Sequence, residues 1–213
     1  MSYTLEEMNE KRKQFSNDGA KGWMDRIYGN PESGQHDLHQ KAFERLFAML
    51  PLKPGDHVLD AGCGSGVLVP MVLERITPSG ILYELDFAEK MIEVNRNHQK
   101  EENICFLVAD AEQAPLEDAS CDVVVCFSCF PHFHDKQAAV RTFCRILKPG
   151  GSLVVSHFDS REDINRRHAS CREVMHDHLP DQNEMRYLFR KAALDVTAFI
   201  DEPGFYCMLA RKR

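Results

Sequence analysis

Along this chain the apolar positions alternate between two spacings, one suited to helices and one to buried strands. In HDLHQKAFERLFAML, residues 36–50, Leu38, Ala42, Leu46 and Met49 share a face, with Phe43, Phe47 and Leu50 beside them. That spacing predicts a helix, which Pro51 and the following KPGD stop. HVLDA (57–61) reads as a first strand, and the segment after its glycines, up to Ile76, as a helix whose start Pro70 leaves open. GILYELD (80–86) is a second strand, followed by a helix over 88–99 that carries Met91, Ile92 and Val94, and NICFLVAD (103–110) is a third. CDVVVCFS (121–128) is a continuous apolar run of the kind found where both faces of a parallel sheet are covered.

Asp135 is placed to cap a helix whose Ala139, Val140, Phe143, Ile146 and Leu147 share a face, and KPGG (148–151) ends it before the strand SLVVSHF (152–158). SRED at 160–163 opens a helix that stacks Ile164, His168 and Cys171, and DQNE at 181–184 opens another with Met185, Leu188, Phe189 and Ala192. Two final strand-like runs flank Glu202, Pro203 and Gly204; so short a turn joins strands only as an antiparallel pair. Strands and helices in alternation predict a doubly wound α/β fold. The expected sheet is seven-stranded and mostly parallel, ending in a C-terminal antiparallel hairpin.

Composition narrows the classes. The 213 residues are 43% hydrophobic and 28% charged, close to the averages for soluble globular chains. No apolar run is long enough to span a bilayer, and the first residues lack the apolar centre of a secretory signal, so the cytoplasm is the expected location. Net charge is −7 and basic residues are scattered, which speaks against nucleic acid as a partner. Eight cysteines lie mostly in apolar segments, as buried thiols in a reducing compartment do.

The glycine turn DAGCGSG follows the first strand, where many folds hold a nucleotide phosphate. Its spacing is G-x-G-x-G rather than the dinucleotide G-x-G-x-x-G, and it lacks the lysine of a phosphate-binding P-loop. Asp60 at the strand tip would repel phosphate and attract a cation. Asp86 ends the second strand, where a carboxylate accepts hydrogen bonds from ribose hydroxyls, and Asp110 ends the third. Glu84 is a competing acid on the same strand face as Asp86, which is nearer the tip. A nucleoside with a cationic, phosphate-free appendage, S-adenosylmethionine, suits all three acids.

These segments together resemble the class I S-adenosylmethionine-dependent methyltransferases, in the small-molecule group that includes quinone C-methyltransferases. VLDAGCGSG is similar to the family's first motif, ELDFAEKMIE to its second, VADAEQAPLEDASCDVVVCFS to its acidic loop and fourth strand, and RILKPGG to the entry to strand five. The resemblance implies that Asp60, Ala61, Gly62 and Gly64 hold the methionine part and that Asp86 binds the ribose. It also implies that Phe87 or Met91 packs on adenine, that Asp110 and Ala111 receive the adenine edge, and that Phe127 and Ser128 line the methyl-donor pocket. Residues 1–35, with Phe15, Trp23 and Tyr28, are then a flank or lid on a single domain over 36–213, and about 157–180 is a substrate-shaping insert. Arg161, Asn165, Arg166 and Arg167 in that insert suit an anionic acceptor or an ordinary solvated helix face.

The expected activity is methyl transfer to a small-molecule acceptor, the alternative a catalytically silent module that binds the cofactor or its demethylated product. A nicotinamide oxidoreductase is disfavoured by the turn. Candidate bases are His132, directly after the fourth strand, and His157, which ends the fifth. With His134, His168, His176 and His178 they form a histidine-rich set that three readings fit: structural residues, a substrate pocket with a base, or a metal site.

Overall fold

The computed structural model describes residues 5–22 and 35–213. Trp23, Tyr28 and the side chain of Leu38 lie outside the described positions. In chain order the elements are α1 (Leu5–Gly19), α2 (Gln35–Met49), β1 (His57–Ala61), α3 (Val69–Ile76), β2 (Ile81–Asp86), α4 (Glu89–His98), β3 (Ile104–Val108) and β4 (Cys121–Phe127). There follow α5 (Lys136–Ile146), β5 (Leu147–His157), α6 (Arg161–Ala169), α7 (Gln182–Lys191), β6 (Leu194–Glu202) and β7 (Phe205–Lys212). Short 3-10 turns follow β3, at Ala111–Gln113, and β4, at Phe130–His132.

The seven strands form one sheet in the order β3-β2-β1-β4-β5-β7-β6. The first five are parallel, and β7 enters antiparallel between β5 and β6, with which it forms the C-terminal hairpin. The strand alternation of β4 explains its unbroken apolar sequence. Val123 and Val125 face one apolar layer with Leu46, Val69, Val72 and Ile76, whereas Val124 and Cys126 face the other with Val140, Phe143, Met185 and Phe189. Each layer removes a helix stripe from water, which is the main favourable term in forming the fold.

Helix ends follow the sequence signals. Asp135 accepts from the amide of Ala138, Ser160 from that of Asp163, and Asp181 with Glu184 forms a reciprocal capping box. Pro70 sits in the first turn of α3, where its missing N–H costs nothing.

Three boundaries differ from the sequence pattern. β5 begins at Leu147, not Ser152: Leu147 pairs with Cys121, and the side chains of Lys212 and Arg211 hold the carbonyls of Leu147 and Gly150. β3 stops at Val108, leaving Asp110 in the loop beyond it. α6 ends at Ala169, so Ile164 and His168 are buried and Cys171 falls outside the helix.

Candidate functional site

Strand order reverses between β1 and β4, and in open α/β sheets ligands bind at the carboxyl ends of strands beside such a reversal. A cavity of about 650 Å3 lies there. Its wall draws on the ends of β1, β2, β4 and β5, on the loop after β3, and on α1 and α6.

The glycine turn forms the floor. Gly64 has φ +55°, and a side chain there would project into open space, so the turn leaves room beside the cavity it lines. Gly66, at φ +88°, packs so tightly on Asn95 that an added Cβ would collide with its side-chain amide. Asn95 donates in turn to Glu84 at 2.6 Å. Glu84 is fully buried beneath the turn and does not line the cavity, whereas Asp86 does. The amide of Gly64 donates to Oδ2 of Asp86 and that of Ala88 to Oδ1, at 3.0 and 2.9 Å.

Asp60 also lines the cavity and is only 2% exposed, yet its Oδ2 has no hydrogen-bond partner among the described residues. Burial, with the charge of Asp86 adding to it, pushes the Asp60 carboxyl up to about 8. Burial raises Asp86 to about 6 against the amides that favour its charged form. Both carboxylates therefore gain from any cation placed in the cavity.

Asp110 is exposed on the rim and Ala111 buried next to it, both lining the cavity. Phe87, just before α4, and Met91, on α4, line it and pack with Ala20, which follows α1. A Lys13–Glu89 ion pair at 2.6 Å and a bond from the Lys90 amide to Asn17 also tie α1 to α4. Phe127 reaches the cavity from the tip of β4. Ser128, next along, takes φ +55°, held by its amide on the Ser156 carbonyl; non-glycine residues in this region are uncommon and collect at functional sites. Gly62 is part of the lining; Ala61 is not, being buried with its carbonyl accepting from the Cys129 thiol.

Across the cavity the structure gathers His132, His157 and His168 and places exposed His134 on the rim. His176 and His178 are exposed and lie outside the lining. Among the described residues no group of three or more His, Cys, Asp or Glu side chains is arranged to hold a metal ion. His157 is 5% exposed, its Nε2 has no hydrogen-bond partner among the described residues, and burial lowers it to about 3, so the ring is neutral near pH 7.

Two residues organise this end: Asp177, which the sequence offered only as an acid beside a histidine metal site, and Arg12, which it did not mark. Asp177, buried, accepts from Nδ1 of His132 at 2.7 Å and pairs with Arg12 of α1, which lines the cavity. The only sequence signal for Asp177 is an acid between His176 and His178; nothing marks Arg12, 165 residues away. In the insert, Arg167 lines the cavity and pairs with Asp159, Arg166 pairs with Asp163, and Asn165 ties down the backbone of Leu179. Arg161 is not part of the lining.

Comparison with known proteins agrees with this geometry. A family described as "Methyltransferase domain" matches residues 59–155, the stretch from β1 to β5 that carries the floor of the cavity. Residues 59–155 of this chain are thus similar to a methyltransferase domain, as the resemblance implied. Its methyltransferase segment is 34% identical over 119 residues to 27-O-demethylrifamycin SV methyltransferase of Amycolatopsis mediterranei, covering 54% of this chain and 43% of that one. It is 33% identical over 132 residues to the ubiquinone/menaquinone biosynthesis C-methyltransferase UbiE of Vibrio campbellii, covering 58% and 51%. The chain thus spans about half the length of the curated relatives it matches. Among solved structures, a methyltransferase in complex with the Haloferax volcanii Trm112 methyltransferase activator superposes with a TM-score of 0.75 at 23% identity, covering 92% of this chain and 96% of that one. At that identity the likeness concerns the fold.

Proposed function

We propose that this methyltransferase binds S-adenosylmethionine across the glycine turn and transfers its methyl group to a small-molecule acceptor. The observation that carries the reading is the buried Oδ2 of Asp60, beside Asp86 and without a hydrogen-bond partner among the described residues. An anionic dinucleotide would worsen that arrangement, and a cationic nucleoside relieves it. In this reading Asp60, with the backbone of Ala61, Gly62 and Gly64, holds the methionine end, Asp86 takes the ribose, and Phe87 and Met91 face adenine. Asp110 and Ala111 meet the adenine edge, and Phe127 with Ser128 borders the donor methyl. Ala61 contributes from behind the lining, which limits it to a backbone role.

When bound, the cofactor supplies an electrophilic methyl on a sulfonium centre. The protein's share is to align the acceptor for in-line attack, exclude water and take up a proton where the acceptor carries one. His132 and His157 are the proposed bases. Residues 1–35 serve as a flank or lid on a domain over 36–213, and the insert at about 157–180 shapes the acceptor end. A small molecule suits the net charge of −7 better than nucleic acid does, and eight free cysteines suit the cytoplasm. Among the described residues no helix is long and apolar enough to cross a membrane.

Calorimetric titration with S-adenosylmethionine and with NAD tests the cofactor. Binding of NAD alone would overturn the reading. Cell extract treated with methyl-labelled cofactor then tests for transfer, and binding without any labelled product would favour the silent module.

A further inference from the structure

The acceptor end of the cavity is built around one carboxylate. Asp177 is held between Arg12 of α1 and His132 of the turn after β4, its side chain only 1% exposed. Burial alone would raise its carboxyl, but the His132 hydrogen bond and the Arg12 guanidinium outweigh that and hold it below the usual range. An ionised carboxylate only accepts hydrogen bonds, so Nδ1 of His132, 2.7 Å from Oδ2, carries the proton. Nε2 then lies on the far edge of a ring that lines the cavity.

His168 is fixed by the same residue through its backbone. Its Nδ1 lies 2.8 Å from the Asp177 carbonyl, which also can only accept, and its ring lies 4.9 Å from that of His132. Arg12 belongs to the helix packed against α4, where Met91, with Phe87 just before the helix, borders the cavity. One buried acid therefore joins the helix over the cofactor end to the imidazole at the acceptor end.

We propose that Asp177 is a positioning residue that holds His132 with Nδ1–H toward itself and a bare Nε2 toward the acceptor, and that the acceptor class is a small molecule bearing a proton on the atom that takes the methyl group. A hydroxyl must lose a proton as it is methylated, whereas a thioether or tertiary amine has none to lose, so an oriented imidazole serves only a protic acceptor. The acceptor atom's proton passes to Nε2 as that atom gains the methyl group, and the C–S bonding pair stays with sulfur. Asp177, His168, His157 and Asp86 are titratable groups that interact with His132, and Arg12 lies on the same carboxylate. Arg12, on the same carboxylate, makes seating of α1 and orientation of the base a single event.

The inference rests on the methyl-transfer reading, and its first test is independent of turnover. In the 15N-labelled full chain at a pH where His132 is neutral, long-range 1H–15N spectra report which ring nitrogen carries the proton, with His132→Gln giving the assignment. The expected state is Nδ1–H; a wild-type ring protonated on Nε2 overturns the proposal. In Asp177→Asn, and in Asp177→Ala if the first variant fails to fold, the Nδ1–H population falls severalfold while Asp177→Glu restores it; an unchanged tautomer in a folded variant overturns it. Calorimetry with S-adenosylhomocysteine on the wild type separates the two layers, because lost binding defeats the underlying reading and retained binding with the wrong tautomer defeats only this one. Extract treated with 13C-methyl S-adenosylmethionine should yield a product methylated on an atom that carried a proton before transfer, and a methylsulfonium or quaternary ammonium product formed from an aprotic acceptor would overturn the acceptor class.

Discussion

The amide of Gly64 donates to Oδ2 of Asp86 at 3.0 Å, fastening the glycine turn after β1 to the acid that ends β2. Two motifs 22 residues apart are thus one structural unit, and the carboxylate that holds the turn also faces the cavity. Asp86 reaches the start of α4 as well, through Ala88, so the floor of the cleft is set by a single side chain.

Asp86→Ala removes that fastening together with the proposed ribose contacts. Affinity for S-adenosylhomocysteine, measured by calorimetry, is expected to fall by about 1.5–3 kcal/mol, roughly ten- to 150-fold in Kd. Unchanged affinity would remove Asp86 from the binding site.

Gly64→Ala and Gly66→Ala should fail in different ways. Both place a side chain at positive φ, costing about 1–2 kcal/mol each. At Gly66 the new methyl also collides with Asn95, adding about 1–3 kcal/mol, so urea unfolding should show the larger loss there. At Gly64 the methyl enters the open cleft, and loss of cofactor affinity should exceed loss of stability.

The sheet and its helices were legible because their signals are local: caps at Asp135, Ser160 and Asp181, and the continuous run of β4, each act within a few residues. The three acids were legible for the same reason, since each lies at or just past a strand end. The choice between Glu84 and Asp86 was not local. Side-chain periodicity puts both on one face, and only the packing of Asn95 under Gly66 shows Glu84 occupied below the turn. The Arg12–Asp177–His132 link joins three segments remote in sequence, and no spacing rule reaches across such a distance.

His157 should make the protein sensitive to acid. Its folded-state value is depressed to about 3 against an ordinary 6.5, so the unfolded chain takes up a proton that the folded chain refuses. That contribution to stability is present above pH 6.5 and is lost as pH falls from there toward 3. His157→Gln is expected to lose less stability than the wild type when urea unfolding is compared at pH 7 and pH 5. An equal loss would mean that the ring is charged in the folded state.

Asp60 produces the opposite trend on the alkaline side. Its carboxyl is raised from 3.8 to about 8, so the folded chain holds a proton that the unfolded chain has already released. Stability therefore falls as pH rises between these values, and above 6.5, where His157 no longer titrates, Asp60→Asn should flatten the decline in Tm of the ligand-free protein. A cationic ligand reverses the balance by favouring the carboxylate. At pH 6.5 the α-amino group of the cofactor is itself charged, so binding should release about one proton per site, read from calorimetry in buffers of different ionisation enthalpy. Asp60→Asn should abolish the release, and an equal release from that variant would move the cation's partner elsewhere in the cleft.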